Sequence, residues 1–142
     1  MIVTFCGHGK ITYTDETRKL LRDTIENLIS EGADEFLLGG YGAFDVMAAN
    51  AVKNLKDKYP HIKSILVVPY IDRDFDRDLY DCSEYPPIER VPKRFAILKR
   101  NEWMVNQADV VVAYVDHDWG GAAKTLERAV SKKKRIINIA DS

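Results

Sequence analysis

Four short clusters in this sequence combine glycine with residues able to do chemistry: Gly7-His8-Gly9-Lys10, Gly39-Gly40-Tyr41-Gly42, Pro69-Tyr70 and Asp116-His117-Asp118-Trp119-Gly120-Gly121. Glycine lets the backbone turn sharply and lets a ligand approach main-chain N–H groups that no side chain covers. Where a helix follows, those N–H groups and the helix dipole favour an anion. Two Gly-Gly pairs, each directly before a helical pattern, point to a phosphate-bearing ligand. Arg100 adds a planar guanidinium fork suited to phosphate or carboxylate, on the helix face it shares with Met104. Trp103 and Met104 themselves read as core packing.

The standard nucleotide fingerprints fail. Gly7-His8-Gly9 lacks the third glycine of G-x-G-x-x-G, and no acid ends the second strand to hold a ribose. Gly9-Lys10 is not a P-loop, because Thr4 stands at the leading glycine and Ile11 at the Ser/Thr position. Asp72, Asp74, Asp76 and Asp78 alternate like a calcium loop, but Arg77 takes its glycine position and Ser83 its closing glutamate. His8, His61 and His117 show no ligand spacing, and His61 beside Pro60 reads as a turn residue, so no metal site is expected. The run Lys132 to Arg135 reads as a solvated helix C-terminus whose charges suit the dipole.

These clusters must be positioned by regular elements, and five β-like runs precede or flank them: Ile2–Cys6, Glu35–Leu38, Ser64–Val68, Val110–Val115 and Arg135–Ile139. Several are apolar on both alternations, as in strands covered on both faces. Thr14 reads as an N-cap with Asp15 and Glu16 in the first turn, and Leu21, Ile25, Leu28 and Ile29 form one stripe ending at Gly32. Further helices are expected over about Gly42 to Tyr59, Arg94 to Gln107 and Gly121 to Lys133. The alternation predicts a single-domain, Rossmann-like three-layer α/β/α sandwich with a mainly parallel sheet of about five strands. Ligands of such sheets bind outside the carboxyl ends of the strands. The polar and aromatic segment 69–93 is expected to lie over that edge as a lid.

A chain of 142 residues bounds this to one domain, 1–142, with a core that needs no staples. The apolar content of 46% and charged content of 30% suit a globular protein. A net charge of -1 gives no basic face, so nucleic acid is not the expected partner. Cys6 and Cys82 lack C-x-x-C spacing and read as reduced thiols. With no leader-like N-terminus and no membrane-length apolar stretch, a cytoplasmic location is expected.

The order of strand-Gly-His, Gly-Gly-x-Gly-x-x-Asp, Arg100 to Met104 ahead of Ala108-Asp109, and a final Gly-Gly before a helix resembles the SLOG superfamily. That group includes YpsA-like proteins, DprA and the LOG phosphoribohydrolases. The likeness spans almost the whole chain and is greatest to the YpsA-like branch: the opening Gly-His, Asp45 and Ala48-Ala49 after Gly-Gly, and Arg100-Asn101 before Met104-Val105. It implies a Rossmann-like sheet binding nucleotide-like ligands between the glycine loops, and a homodimer or higher oligomer. In LOG enzymes an arginine and a glutamate act on the N-glycosidic bond of a nucleoside monophosphate; Arg100 matches the first. Trp119 replaces the proline of their Pro-Gly-Gly-x-Gly-Thr, the third glycine is absent, and Thr125 and Glu127 align only with one inserted residue.

Three functional readings follow. In the first, the chain is a sensor or processing domain that binds a phosphate-bearing, nucleotide-derived ligand and requires no cofactor. Gly39, Gly40, Gly120 and Gly121 hold phosphate with help from Thr125, while Gly7 and Gly42 belong to the same turns. Arg100 supplies charge, His8, Tyr70 and Trp119 stack on a base or sugar, and Asp45 either receives a ribose hydroxyl or balances its helix. In the second, Arg100 and a carboxylate, Glu127 or Asp116, make an N-glycosidase. In the third, the chain is a protein-interaction module with a vestigial pocket. Whether the ligand is changed chemically stays open at this level.

Overall fold

The computed structural model describes residues 1–10, 12–71 and 74–141. Ile11, Asp72, Arg73 and Ser142 lie outside the described residues, and with them one member each of the rejected P-loop and calcium patterns. Among the described residues the strands are β1 Ile2–Gly7, β2 Glu35–Leu38, β3 Lys63–Val67, β4 Cys82–Glu84, β5 Val110–Tyr114 and β6 Arg135–Asn138. The helices are α1 Asp15–Ser30, α2 Gly42–Leu55, α3 Ala96–Gln107 and α4 Gly121–Ser131. All strand pairings are parallel, in the order β4-β3-β2-β1-β5-β6. The chain winds outward from β1 to β4, then returns to the other side of β1 at β5. That reversal opens a crevice between the carboxyl ends of β1 and β5, the switch point at which doubly wound sheets take ligands.

Alternation along the strands explains the three layers. Val3, Phe5, Phe36, Leu38, Leu66, Val110 and Val112 join one core with Leu21, Ile25 and Leu28 of α1 and Phe44, Ala48 and Val52 of α2. The opposite alternation packs elsewhere: Cys6, Val111 and Ala113 with Val105 of α3 and Ala123 and Ala129 of α4. Leu37, Ile65 and Val67 meet Met104, with Trp103 packed alongside, as its spacing implied. Burial pushes the Cys6 thiol up to about 12, which keeps it protonated and unreactive.

The α1 stripe and its cap are as read from the sequence: Thr14 Oγ1 accepts the Thr17 N–H at 3.1 Å. Helices α2 and α4 end earlier than the apolar pattern implied, and the sheet gains a sixth strand. That strand, β4, carries Cys-Ser-Glu, whose polar composition hides it; it forms at the sheet edge through pairing with β3. Segment 69–93 is therefore less of a loop than its composition implies. Tyr80 and Ile88 are buried, and Asp81 ties the segment down by accepting the Ser64 N–H at 2.8 Å and pairing with Lys56. Among the described residues no helix is long and apolar enough to cross a membrane.

Candidate functional site at the carboxyl edge of the sheet

The switch point is lined by the first and last of the glycine clusters. β1 ends in Gly7 and delivers His8, which is buried; β5 runs through Val115 into Asp116 and His117. Asn138, at the end of β6, holds this exit in place: its Oδ1 accepts the Val115 N–H at 3.1 Å and its Nδ2 donates to Val115 O at 2.9 Å. Nothing local in the sequence flags Asn138, since its partners come from another strand.

Three rings then stack in series. His8 and His117 lie 3.7 Å apart and 7° from parallel, and His117 and Trp119 lie 3.9 Å apart at 30°. Asp116 Oδ1 sits 2.7 Å from His117 Nδ1 and 3.0 Å from His8 Nε2. A carboxylate only accepts, so His117 Nδ1 carries the proton it donates. The Asp116 backbone N–H donates to His8 Nε2 at 3.2 Å, so that lone pair is turned toward the main chain. The hydrogen bond from His117, aided by the nearby imidazoles, holds the Asp116 carboxyl below the usual carboxylate range. His8, Asp116 and His117 offer ligand atoms within 4.8 Å of one another. A metal ion, however, must lie in the plane of each imidazole that binds it, and parallel rings stacked face to face share no such point. This cluster is built for stacking.

The start of α4 lies beside the stack. Gly120, at φ +94°, is its N-cap with no side-chain cap, and a Cβ at Gly120 or Gly121 would meet nothing within 4 Å. No side chain caps the first turn of α4, and the space beside both glycines is open. Trp119 is 69% exposed. Thr125 is buried instead of facing that opening, and its hydroxyl donates back to Gly121 O at 3.0 Å. Glu127, on the exposed side of α4, lines two clefts. One of about 400 Å³ runs between α3 and α4, with Asn101 and Glu102 on its other wall. A larger one of about 530 Å³ reaches Asp116 and His117. Arg100 lines neither.

A third cleft, of about 190 Å³, opens at the ends of β2 and β3, walled by Gly39, Gly40 and Tyr41 and, from segment 69–93, by Pro69, Asp74, Phe75, Asp76 and Tyr80. Arg100 lies at its base and is only 1% exposed. Its Nη1 donates to Gly39 O at 2.9 Å and Val67 O at 2.8 Å, and its Nε donates to Asn101 Oδ1 at 2.8 Å. The fork that composition suggested for a ligand is spent largely on the chain's own carbonyls, pinning β2 and β3 side by side. Gly39 makes room for it: a Cβ there would stand 2.9 Å from Asp45 Oδ2 and 3.3 Å from the guanidinium.

Asp45 accompanies Arg100. Burial raises its carboxyl to about 7, against the pull of Arg100 and of the Tyr41 and Gly39 backbone. Part of the residue's surface remains accessible, yet Oδ1 is closed off with no hydrogen-bond partner among the described residues. The two glycine loops also touch: Ala43 N–H donates to Gly9 O at 3.1 Å, and a Cβ on Gly42, at φ +85°, would strike Gly9 Cα at 2.6 Å. Gly7 serves packing, since a Cβ there would sit 2.3 Å from the Phe44 ring. Tyr70 lines a separate cleft of about 280 Å³ with Tyr85, Ile88 and Lys93.

A parallel, doubly wound sheet with glycine loops and an aromatic stack at its switch point defines a Rossmann-like α/β domain. The sequence profile of the YspA SLOG family (YpsA) matches residues 10–78. The UPF0398 protein BH1768 of Halalkalibacterium halodurans is 23% identical, over 91% of this chain and 73% of that protein. The SPbeta prophage-derived protein YoqJ of Bacillus subtilis is 28% identical, over 78% of each. Among solved structures, the fold is shared with the molybdenum cofactor carrier protein of Chlamydomonas reinhardtii (TM-score 0.64, 19% identity, 95% of this chain and 73% of that one). It is also shared with DNA processing protein A of Helicobacter pylori, described for its single-stranded DNA binding mode (TM-score 0.65, 19% identity, 96% and 63%). Over residues 10–78 the chain is similar to the YpsA branch of the SLOG superfamily.

Proposed function

We propose that this chain binds a phosphate-bearing, nucleotide-derived ligand at the switch point, with the phosphate on the N-terminus of α4 and the planar part of the ligand against the ring stack. The observation that carries this reading is the α4 start beside Trp119: no side chain caps it, and nothing lies within 4 Å of a Cβ position on Gly120 or Gly121. Orphan N–H groups at a helix N-terminus attract anions. An exposed tryptophan next to them adds a stacking surface.

Arg100 takes part from beneath, by holding the Gly39 turn, and Asp45, whose Oδ2 lies beside Gly39, can accept a ligand hydroxyl. The likeness to a molybdenum cofactor carrier and to a single-stranded DNA binder fits a domain whose ligands combine phosphate with a flat heterocycle. The N-glycosidase reading draws less support, because Arg100 and Glu127 line no common cleft among the described residues. Thermal-shift screening of the purified chain against nucleoside mono-, di- and triphosphates, cyclic nucleotides, NAD and ADP-ribose tests the proposal. A binder at a hundred times its Kd adds about 2.7 kcal/mol of stability by mass action. No shift with any of these compounds at millimolar concentration would overturn it.

A further inference from the structure

The geometry points to His117 as an internal plug: it fills an aromatic slot between His8 and Trp119 that a heterocyclic base with an N–H edge enters by displacing it. This rests on the reading that the switch point binds a nucleotide-derived ligand, and it specifies how the base is held.

The two walls and the filler are held very differently. His8 is a fixed wall: it is buried, its Nε2 receives the Asp116 N–H, its own carbonyl accepts the Tyr13 hydroxyl at 2.5 Å, and Tyr114 stands edge-on to its ring. Trp119 is the outer wall, open to solvent on the helix-entry turn. His117 lies between them at 3.7 Å and 3.9 Å, spacings at which flat rings stack on both faces. The side-chain bond that holds its ring is to Asp116, the residue before it, at 2.7 Å. His117 is half-buried, and among the described residues the side-chain hydrogen bond it makes is this local one; the cleft of about 530 Å³ that it also lines gives the ring a space to swing into.

The plug also defines the class of ligand that replaces it. His117 is a planar heterocycle presenting an N–H to Asp116 Oδ1. Once it leaves, that carboxylate oxygen faces the vacated slot as an acceptor. A base that offers a ring N–H or an exocyclic amine along the exposed edge, such as adenine or guanine, reproduces both properties of the imidazole. A sugar phosphate reproduces neither. The α4 N-terminus, reached through Trp119-Gly120-Gly121, then lies on the side where a phosphate tethered to that base would be received.

The test uses the full chain carrying Trp103→Phe, so that Trp119 is the fluorophore. Adenosine, AMP, guanosine and GMP are titrated, with ribose 5-phosphate and inorganic phosphate as controls. The bases are expected to quench Trp119 and the controls to leave it unchanged. Trp119→Ala, read by calorimetry, is expected to weaken AMP or GMP binding by roughly five- to a hundredfold, the range for losing one stacking partner. His117→Gly provides the test by sign: removing a plug tightens binding of the base, whereas removing a stacking platform weakens it.

Weaker binding to His117→Gly, or nucleotide binding without Trp119 quenching, overturns the slot while leaving the phosphate reading intact. Equal binding of adenosine and AMP, with tightening in His117→Gly, supports the slot and overturns the phosphate reading. An absence of binding by every base to both the parent and His117→Gly overturns the slot. Both variants alter an exposed turn, and matching circular dichroism spectra confirm that the fold is retained.

Discussion

Gly7→Ala separates two uses of glycine that look the same in sequence. At the end of β1, next to His8, Gly7 has the position of a residue that admits a ligand to the backbone. In the structure the space above it is already occupied. A methyl group there would stand 2.3 Å from Phe44 Cγ, 2.4 Å from Cδ2 and 2.6 Å from Cβ, and Phe44 is fully buried between Tyr13 and Tyr114. Relief requires the ring or the start of α2 to move by about an ångström, inside a core where overpacking costs about 1–3 kcal/mol. The closeness of three contacts, all to one fully buried side chain, places this substitution near the top of that range. At an unfolding entropy of about 2.1 cal/mol/K per residue, a chain of this length loses roughly 3 °C per kcal/mol, so a melting temperature lower by about 10 °C is expected. Urea unfolding gives the free energy directly, and Phe44→Ala is the control background. The penalty of Gly7→Ala should shrink there, because Cγ and Cδ2, the two nearest atoms that obstruct the methyl, are gone. If Gly7→Ala changes stability by less than about 0.5 kcal/mol but weakens ligand binding, the packing argument is wrong and Gly7 is a ligand contact.

Asp45 should make stability depend on pH. Its carboxyl is raised to about 7 in the folded state against 3.8 for a free side chain, so the folded state holds a proton that the unfolded state has released. Stability from this group is present below about pH 4, falls as pH rises toward 7 and levels off above it, with a slope of at most about 1.4 kcal/mol per pH unit. Asp45→Asn should flatten that interval in unfolding curves measured from pH 4 to 8; an unchanged slope would refute it. Asn138→Ala removes both bonds to Val115 and should cost about 1–3 kcal/mol in urea unfolding, and it should loosen the turn that carries Asp116 and His117. Gly120→Ala meets no atom but forces a side chain onto φ +94°. It should cost about 1–3 kcal/mol by backbone strain alone, and calorimetry should show phosphate-bearing ligands weakened more than free bases.

The layered fold was legible in the sequence because its signals are local. The α1 stripe of Leu21, Ile25, Leu28 and Ile29, its Thr14 cap and the apolar runs of β1, β2, β3 and β5 each arise from periodicity and neighbour chemistry within a few residues. The polar β4 was not legible, because its formation depends on a partner already in place.

The site divides in the same way. Composition alone located the glycine clusters at strand ends and marked Arg100, Asp45, His8, Asp116 and Trp119 as candidates. It could not say that Gly7 yields to Phe44, that Thr125 bonds back to Gly121, or that Arg100 turns inward to Gly39 and Val67. Nor could spacing unite His8 with His117, which are 3.7 Å apart in space but follow strands brought together by the chain's reversal at the switch point. Residue type and period determine which groups reach the edge of the sheet. Only the long-range pairing of β1 with β5, and the direction in which each side chain is then packed, decides which of them meet.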